Sequence, residues 1–508
     1  MMYFRYLLIA VLTYSIIGCN SGNNGGDGGT NPESNTSVGN TGSGTTDSQG
    51  TEGSSDGADT GGDSTGTDGD SSDAGGDTTD TGSDGSDTGG TTTDGGGTDS
   101  DGSTDAGEEE CSVADLNQWV DDAMRDYYLY YNLVPQVDLA AYESPEQLIT
   151  DLRVSPDRFS NVTDSAQQEQ LFEEGITFGF GFRLVRDSLG AVRTAAVYKE
   201  SPAELAGLQR GDVVMAVNGT PIEEMTNQLW SEYLGTGTDI VSPTFTVNKA
   251  TGETQDISVT SGEYRLYTVQ SANVATLNET QQRVGYINFL SYLGTAQSEL
   301  NNVMAWLRDN EADELILDLR FNGGGFTSIA RQLGSQVAGE VVFDEISERL
   351  SFNDRYAEFN YTRSFEPNDI TLDLNRLYVI TSGRTASSSE LTINALRPYI
   401  DVYTIGGLTV GKPFVSRGRD RCGKRMHAME LISTNADGAS VINGIAPDCE
   451  VFDTYQGDQG SLDDNMYSAA LNYLYSGNCA AQPAAAQARS RPVFETSDEL
   501  GFGSIDDR

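Results

Sequence analysis

The sequence predicts an α/β (mixed α+β) core that carries an inserted β domain and a small N-terminal helical cap, behind a disordered N-terminal tether. Three observations predict it. Residues 20–107 are almost only Gly, Ser, Thr, Asp and Asn, with no Lys or Arg and no apolar period that could bury a core. Between 175 and 260, apolar residues alternate with glycines and polar residues at the period of a half-buried strand. From 284 onward, short apolar runs alternate with helical-period segments, the signature of a layered sheet with mostly parallel pairings.

In chain order, residues 1–18 come first, with Arg5 their only charge and an apolar run at 7–17 too short to span a bilayer. This is the layout of an export signal, and Ile16-Ile17-Gly18-Cys19 resembles the processing box of bacterial lipoproteins, which makes Cys19 the expected acylated first residue. Residues 19–107 are the tether, with an r.m.s. reach on the order of 50 Å that its aspartates extend by self-repulsion. The expectation is an exported lipoprotein held on a membrane, the outer one favoured, with its domain facing the periplasm or the cell surface. The cap covers 108–172, with helices expected at 113–131 (Val113, Leu116, Val120, Met124, Tyr127 and Tyr128 at helical spacing) and 145–152.

The β domain covers 173–262. Ile176, Phe178, Phe180, Phe182 and Leu184 alternate as one strand, followed by a short helix at 202–206, a turn at Gly211-Asp212, a strand at 213–217 and a turn at Asn218-Gly219. This order resembles a PDZ domain, with Gly179-Phe180-Gly181-Phe182 in the place of the carboxylate-binding loop. Glycines there let successive N–H groups converge on an anion, and a free strand edge accepts an extended peptide. The α/β core covers 263–481, with strands at 285–290, 314–319, 377–381 and 402–405 and helices at 296–308, 327–337 and from Ser387. Residues 482–508 form a polar tail, either disordered or seated in the chain's own peptide groove.

Acidic residues outnumber basic ones, 77 to 30, for a net charge of −47, so nucleic acid has no electrostatic footing as a partner. Beyond Cys19, an even set of Cys111, Cys422, Cys449 and Cys479 in an exported chain favours disulfides. Three pairings exist, of which Cys422–Cys449 and Cys111–Cys479 are expected. No His/Cys cluster has zinc spacing, and no metal or cofactor is implied.

The chemistry concentrates where core strands end and helices begin. Ser387 opens a helix, which places its oxygen at the positive end of the dipole beside the first-turn amide of Ser388. The simpler role for the segment is an N-cap, with Glu390 closing a capping box on Ser387. Lys412 follows 412 − 387 = 25 positions later among apolar neighbours. It acts as a base only if burial lowers its pKa by roughly two to three units, at a cost of about 3–4 kcal/mol. Asp318-Leu319-Arg320-Phe321-Asn322-Gly323-Gly324-Gly325 follows a buried strand, so its glycine amides are placed to meet an oxyanion; a phosphate loop fails because no Gly-Lys-Ser/Thr follows. The only histidine, His427, reads as a surface residue, the alternative being the base of a serine triad.

Together with Asp157-Arg158-Phe159-Ser160, Gly285-Tyr286-Ile287, Ser387-Ser388-Ser389-Glu390 and Thr409-Val410-Gly411-Lys412, these pieces resemble the C-terminal processing, or tail-specific, family of serine peptidases. The resemblance implies Ser387 as nucleophile, Lys412 as base, Gly324 and Ser388 as backbone oxyanion donors with the choice among Gly323, Gly324 and Gly325 open, and Gly179 to Phe182 as the holder of a substrate's terminal carboxylate. Where the family often carries a glutamine, four residues after the lysine, this chain has Ser416, whose hydroxyl reaches less far; Pro413 replaces a small residue. The expected function is an exported endopeptidase cleaving proteins engaged by their C-terminal tails. The alternative is a catalytically silent PDZ-type peptide-binding scaffold.

Overall fold

The computed structural model describes residues 111–187, 189–277 and 280–479, together with the backbone of 491–492 and 504–505. Cys19, the signal at 1–18, the tether and the rest of the tail lie outside the described residues.

The core is a six-stranded sheet in the order Val269–Thr276, Arg283–Phe289, Glu314–Asp318, Arg376–Thr381, Asp401–Gly406, Cys449–Glu450. The first pair is antiparallel and the others are parallel. Alternation along each strand divides its side chains between two apolar layers. Ile287, Leu315, Leu317 and Val379 face the layer of the helices Ala296–Asp309, Thr327–Ala338 and Ser388–Leu396, while Tyr286, Ile316, Tyr378 and Ile380 face Asn465–Ser476. Covered on both sides, Glu314–Asp318 is buried at every residue, which is why Leu315, Ile316 and Leu317 at its centre are apolar without alternation.

Both cap helices form, the first ending five residues short of the expected 131: Val113–Asp126 starts at a capping box of Ser112 and Asp115, and Pro145–Leu152 is capped by Ser144 with proline in its first turn. They pack Val120, Met124, Leu148 and Leu152 against Phe414, Met426 and Met429. The expected continuous strand from 176 to 184 is two strands. Ile176–Gly179 pairs with Gly262–Arg265, the chain breaks at Phe180-Gly181, and Phe182–Arg186 joins a different sheet beside Val192–Val197. Gly181 has φ +78°, and a Cβ on it would lie 2.1 Å from the Ser201 Cβ, so the break requires glycine. Two further sheets lie outside what alternation signalled. One holds Tyr361–Ser364, Ile346–Ser351, Leu431–Thr434, Phe414–Ser416 and Ser504–Ile505; the other holds Asn161–Asp164, Lys424–His427 and Gly418–Arg421.

The disulfides pair differently from the expectation: Cys111 bonds Cys422 and Cys449 bonds Cys479, with Cα separations of 5.9 and 5.5 Å. The reason is topological. Asn161–Asp164 pairs with Lys424–His427, which brings the cap beside the hairpin whose turn carries Cys422. Cys449 instead lies on the edge strand of the core sheet, against Ile405, where the helix Asn465–Ser476 delivers Cys479.

A buried charge cluster joins the layers. Arg320, 1% exposed, binds Asp318, Asp453 (3.0 Å) and Asp464 (2.6 Å), and Arg210 of the β domain binds the same Asp453 at 2.6 Å. Asp464 also caps the helix Asn465–Ser476. Among the described residues, no helix is long and apolar enough to cross a membrane and no group of His, Cys, Asp or Glu is arranged to hold a metal ion.

Two measurements check this architecture. Peptide mapping without reduction should recover the 111–422 and 449–479 pairs. Arg320→Leu leaves three buried carboxylates without their shared cation and should lower stability by about 3–5 kcal/mol in urea unfolding of the full chain.

Candidate active site

The turn after Glu314–Asp318 is fixed from several sides. The Asn322 side chain donates to the Phe289 carbonyl, and the Asn322 carbonyl accepts from Ala386 N–H and Ser389 Oγ. Gly324 C=O accepts from Tyr292 N–H, and Gly325 C=O accepts from Ser388 Oγ at 2.6 Å. Gly324 has φ +107°, and a Cβ there would lie 2.7 Å from the Ser387 Cβ, so only a glycine lets the turn close on the start of the helix Ser388–Leu396.

Ser387 precedes that helix with φ +62° and ψ −118°, a conformation that strains any residue with a side chain by roughly 1–3 kcal/mol. It is held by Glu390, which is fully buried. Glu390 Oε2 accepts from the N–H of Ser387 (2.9 Å) and the N–H of Lys412 (2.8 Å), and Oε1 accepts from Gly411 N–H (2.7 Å) and Thr409 Oγ1. Burial pushes its carboxyl above the usual carboxylate range, against the pull of these donors. One side chain thus closes the expected capping bond on Ser387 and also fastens the Lys412 loop, a second duty that helix periodicity does not signal.

Lys412 is 5% exposed, with its Nζ 4.6 Å from the centre of the Phe159 ring. Burial brings its pKa down to about 8, while the carboxylates of Asp157 and Glu390 pull it back up. Asp157 is itself buried and accepts from Phe159 N–H, Ser160 N–H and Ser160 Oγ. Ser387 and Lys412 line one small cavity with Leu391, Asn394, Pro413 and Ser433. Lys412 also borders a larger cavity of about 450 Å³, shared with Gly323, Ala386, Thr177 and Arg183.

The structure places the remaining expected residues as follows. Gly324 N–H donates to Asn322 Oδ1 at 2.9 Å, so its amide reaches an oxyanion only after that bond opens; Gly323, by contrast, lines the large cavity. Ser388 opens the helix beside the turn, 3.0 Å from its N to the position of a Gly324 Cβ. Ser416 hydrogen-bonds through Oγ to His427 Nδ1 at 3.1 Å. His427 is not a surface residue: it is 8% exposed, its other ring nitrogen meets Gln168, and burial, with the charges of Lys412 and Arg425, lowers its pKa to about 4. The cause is the pairing of Lys424–His427 between two neighbour strands, which turns a charged-looking segment inward. In the β domain, Phe180 C=O accepts from Ala203 N–H and Gly181 C=O from Tyr198 N–H, while the rings of Phe180 and Phe182 lie 5.7 Å apart. Asn322 belongs to the motif singled out from sequence, but its side-chain contacts do not show there, and nothing local distinguishes Gln168.

Glu390→Ala removes the acceptor of four buried donors and should lower stability by about 3 kcal/mol or more, read from urea unfolding of the full chain.

Comparison with known proteins adds independent findings. Residues 283–451 match the model of peptidase family S41, residues 115–161 the peptidase S41 N-terminal domain, and residues 193–237 the PDZ domain. The carboxyl-terminal-processing peptidase 1, chloroplastic, of Arabidopsis thaliana is 26% identical over 54% of this chain and 55% of its own length. The carboxy-terminal processing protease CtpA of Bacillus subtilis is 24% identical over 62% of this chain and 64% of its own. The chain thus spans between half and two thirds of these curated relatives. The crystal structure of a putative S41 protease from Bacteroides fragilis superposes with a TM-score of 0.57 at 23% identity, covering 71% of this chain and 97% of that one, which shows the shared fold. Over residues 115–161 and 283–451 the chain is thus similar to peptidase family S41, alongside relatives named as carboxyl-terminal processing proteases.

Proposed function

We propose that this chain is an exported, lipid-anchored serine endopeptidase that engages protein substrates by their C-terminal tails and cleaves them through a Ser387/Lys412 dyad. The observation that carries the proposal is the shared Glu390 Oε2, which binds the amides of both residues and so fixes the two segments to one point. Lys412 is a usable base because its pKa of about 8 leaves a working fraction neutral near pH 7.

In this reading, neutral Lys412 takes the Ser387 Oγ proton as Oγ attacks the scissile carbonyl. The oxyanion forms against Ser388 N–H and the glycine turn, Gly324 donating once its amide leaves Asn322. The C–N bond then breaks, the proton passes from Lys412 to the leaving amine, and water releases the acyl group. The loop Gly179 to Phe182 holds the substrate's terminal carboxylate, Ser416 acts indirectly through His427, and Cys19 carries the lipid that places the domain in the periplasm or at the cell surface.

Ser387→Ala and Lys412→Ala should each lower cleavage of an unfolded protein at least about 10⁴-fold. If the wild type binds tails and cuts nothing, the silent scaffold is the correct reading. With Lys412 as the base, kcat/KM should rise through about pH 8 and fall tenfold per unit below it. The sign for stability follows from the same shift: between about pH 8 and 10.5 the unfolded chain binds the proton and the folded chain does not, so this residue's contribution grows with pH across that window. His427→Gln should leave the inflection near pH 8 in place, whereas a histidine base would move it.

A further inference from the structure

The 450 Å³ cavity runs from the β domain to the core, and its wall is cationic. In a chain with 77 acidic and 30 basic residues, it is bordered by Arg158, Arg183, Arg384 and Lys412, and among the described residues none of its lining groups is a carboxylate. Such a wall attracts peptide segments that carry carboxylates.

Two strand edges adjoin this cavity, each through one of its cations. Arg183 lies on Phe182–Arg186, and Lys412 lies two residues before Phe414–Ser416. The outer neighbour on both edges is the chain's own C-terminal segment. Arg491–Pro492 pairs antiparallel with the first, Arg491 opposite Arg186 and Pro492 opposite Val185. Ser504–Ile505 pairs parallel with the second, Ser504 opposite Val415 and Ile505 opposite Ser416. The antiparallel register runs toward Gly179 to Phe182, the direction in which an added peptide strand approaches a carboxylate loop. Residues 492 and 504 are twelve steps apart, a reach of at most about 40 Å, so one extended peptide can span both edges. From 491 to 508 the sequence contributes Glu495, Asp498, Glu499, Asp506 and Asp507 against two bases, Arg491 and Arg508, a net negative charge that complements the cationic wall.

We propose that residues 491–508 are an intramolecular ligand of this channel, an acidic peptide held by strand addition at both edges, and that external substrates must displace it. A tethered ligand has an effective concentration on the order of 1 mM, so a tail with an intrinsic affinity of about 100 µM weakens an external peptide about tenfold. The proposal deepens the peptidase reading but is tested apart from it, because its assay uses a chain without the serine hydroxyl.

A labelled synthetic peptide of residues 489–508 is titrated into full-length Ser387→Ala and into the same chain ending at residue 481. The shortened chain should bind about tenfold more tightly, and amides in Phe182–Arg186 and Phe414–Ser416 should exchange hydrogen faster in it without peptide. Ser504→Pro with Ile505→Pro in the full chain, which removes two N–H groups from the second edge, should give a fraction of the same gain without a truncation. A peptide with its five acidic residues replaced by amides should bind several-fold more weakly. Failure to bind the shortened chain, or equal affinity for both chains with unchanged exchange, overturns the proposal; equal binding of the amide peptide overturns its electrostatic basis. Failure of the peptidase reading looks different, as intact binding with no cleavage by the wild type.

Discussion

The site is organised around one buried carboxylate. Glu390 spends both oxygens on the helix start and on the loop 409–412, so the backbone of Ser387 and that of Lys412 share a fixed reference despite lying on separate elements. A buried carboxylate is costly unless nearly every lone pair is met, and here four donors meet it. That cost enforces precision, because displacement of either segment strands a charge in a dry interior. In the neighbouring layer the Arg320 cluster has the corresponding role. It pins the root of the glycine turn to the helix cap at Asp464 and, through Asp453, to Arg210 of the β domain.

Lys412 shows how an electrostatic balance is set by packing. The Phe159 ring and the surrounding apolar groups favour the neutral amine, while Asp157 and Glu390 favour the charged one. Asp157 belongs to the cap, so the protonation of a core residue depends on a domain contributed by the start of the folded region. The Cys111–Cys422 link and the pairing of Asn161–Asp164 with Lys424–His427 fasten that cap in place. The cap therefore has a chemical role beyond covering apolar surface.

Much of this was legible in the sequence, for identifiable reasons. Elements with a strong period or a local cap, such as Pro145–Leu152 and Glu314–Asp318, lie close to where the pattern puts them. Ser387, Lys412 and the glycine turn stood out because together they have the residue types of a nucleophile, a base and an oxyanion-binding turn. What escaped depends on distant partners. The break at Gly181 is imposed by Ser201, the disulfide pairing by a strand pair 266 residues apart at Asn161 and His427, and the burial of His427 by the same pair. The acceptor for Gly324 N–H is a side chain two residues away, yet its direction is set by the Phe289 carbonyl on another strand.

The backbone of Ser387 has a bearing on how this protein should be handled at the bench. Inverting φ +62°, ψ −118° gives −62°, +118°, an ordinary extended conformation, so glycine would occupy the position without strain where every chiral residue is strained. Serine at this position therefore carries its hydroxyl at the cost of that strain. Glycine at 387 would relax the elbow and loosen the hold of Glu390 on the neighbouring loop, whereas alanine keeps the strain and removes only the oxygen. Under the proposed mechanism, an inert form meant to trap a bound peptide in the working geometry should therefore carry alanine.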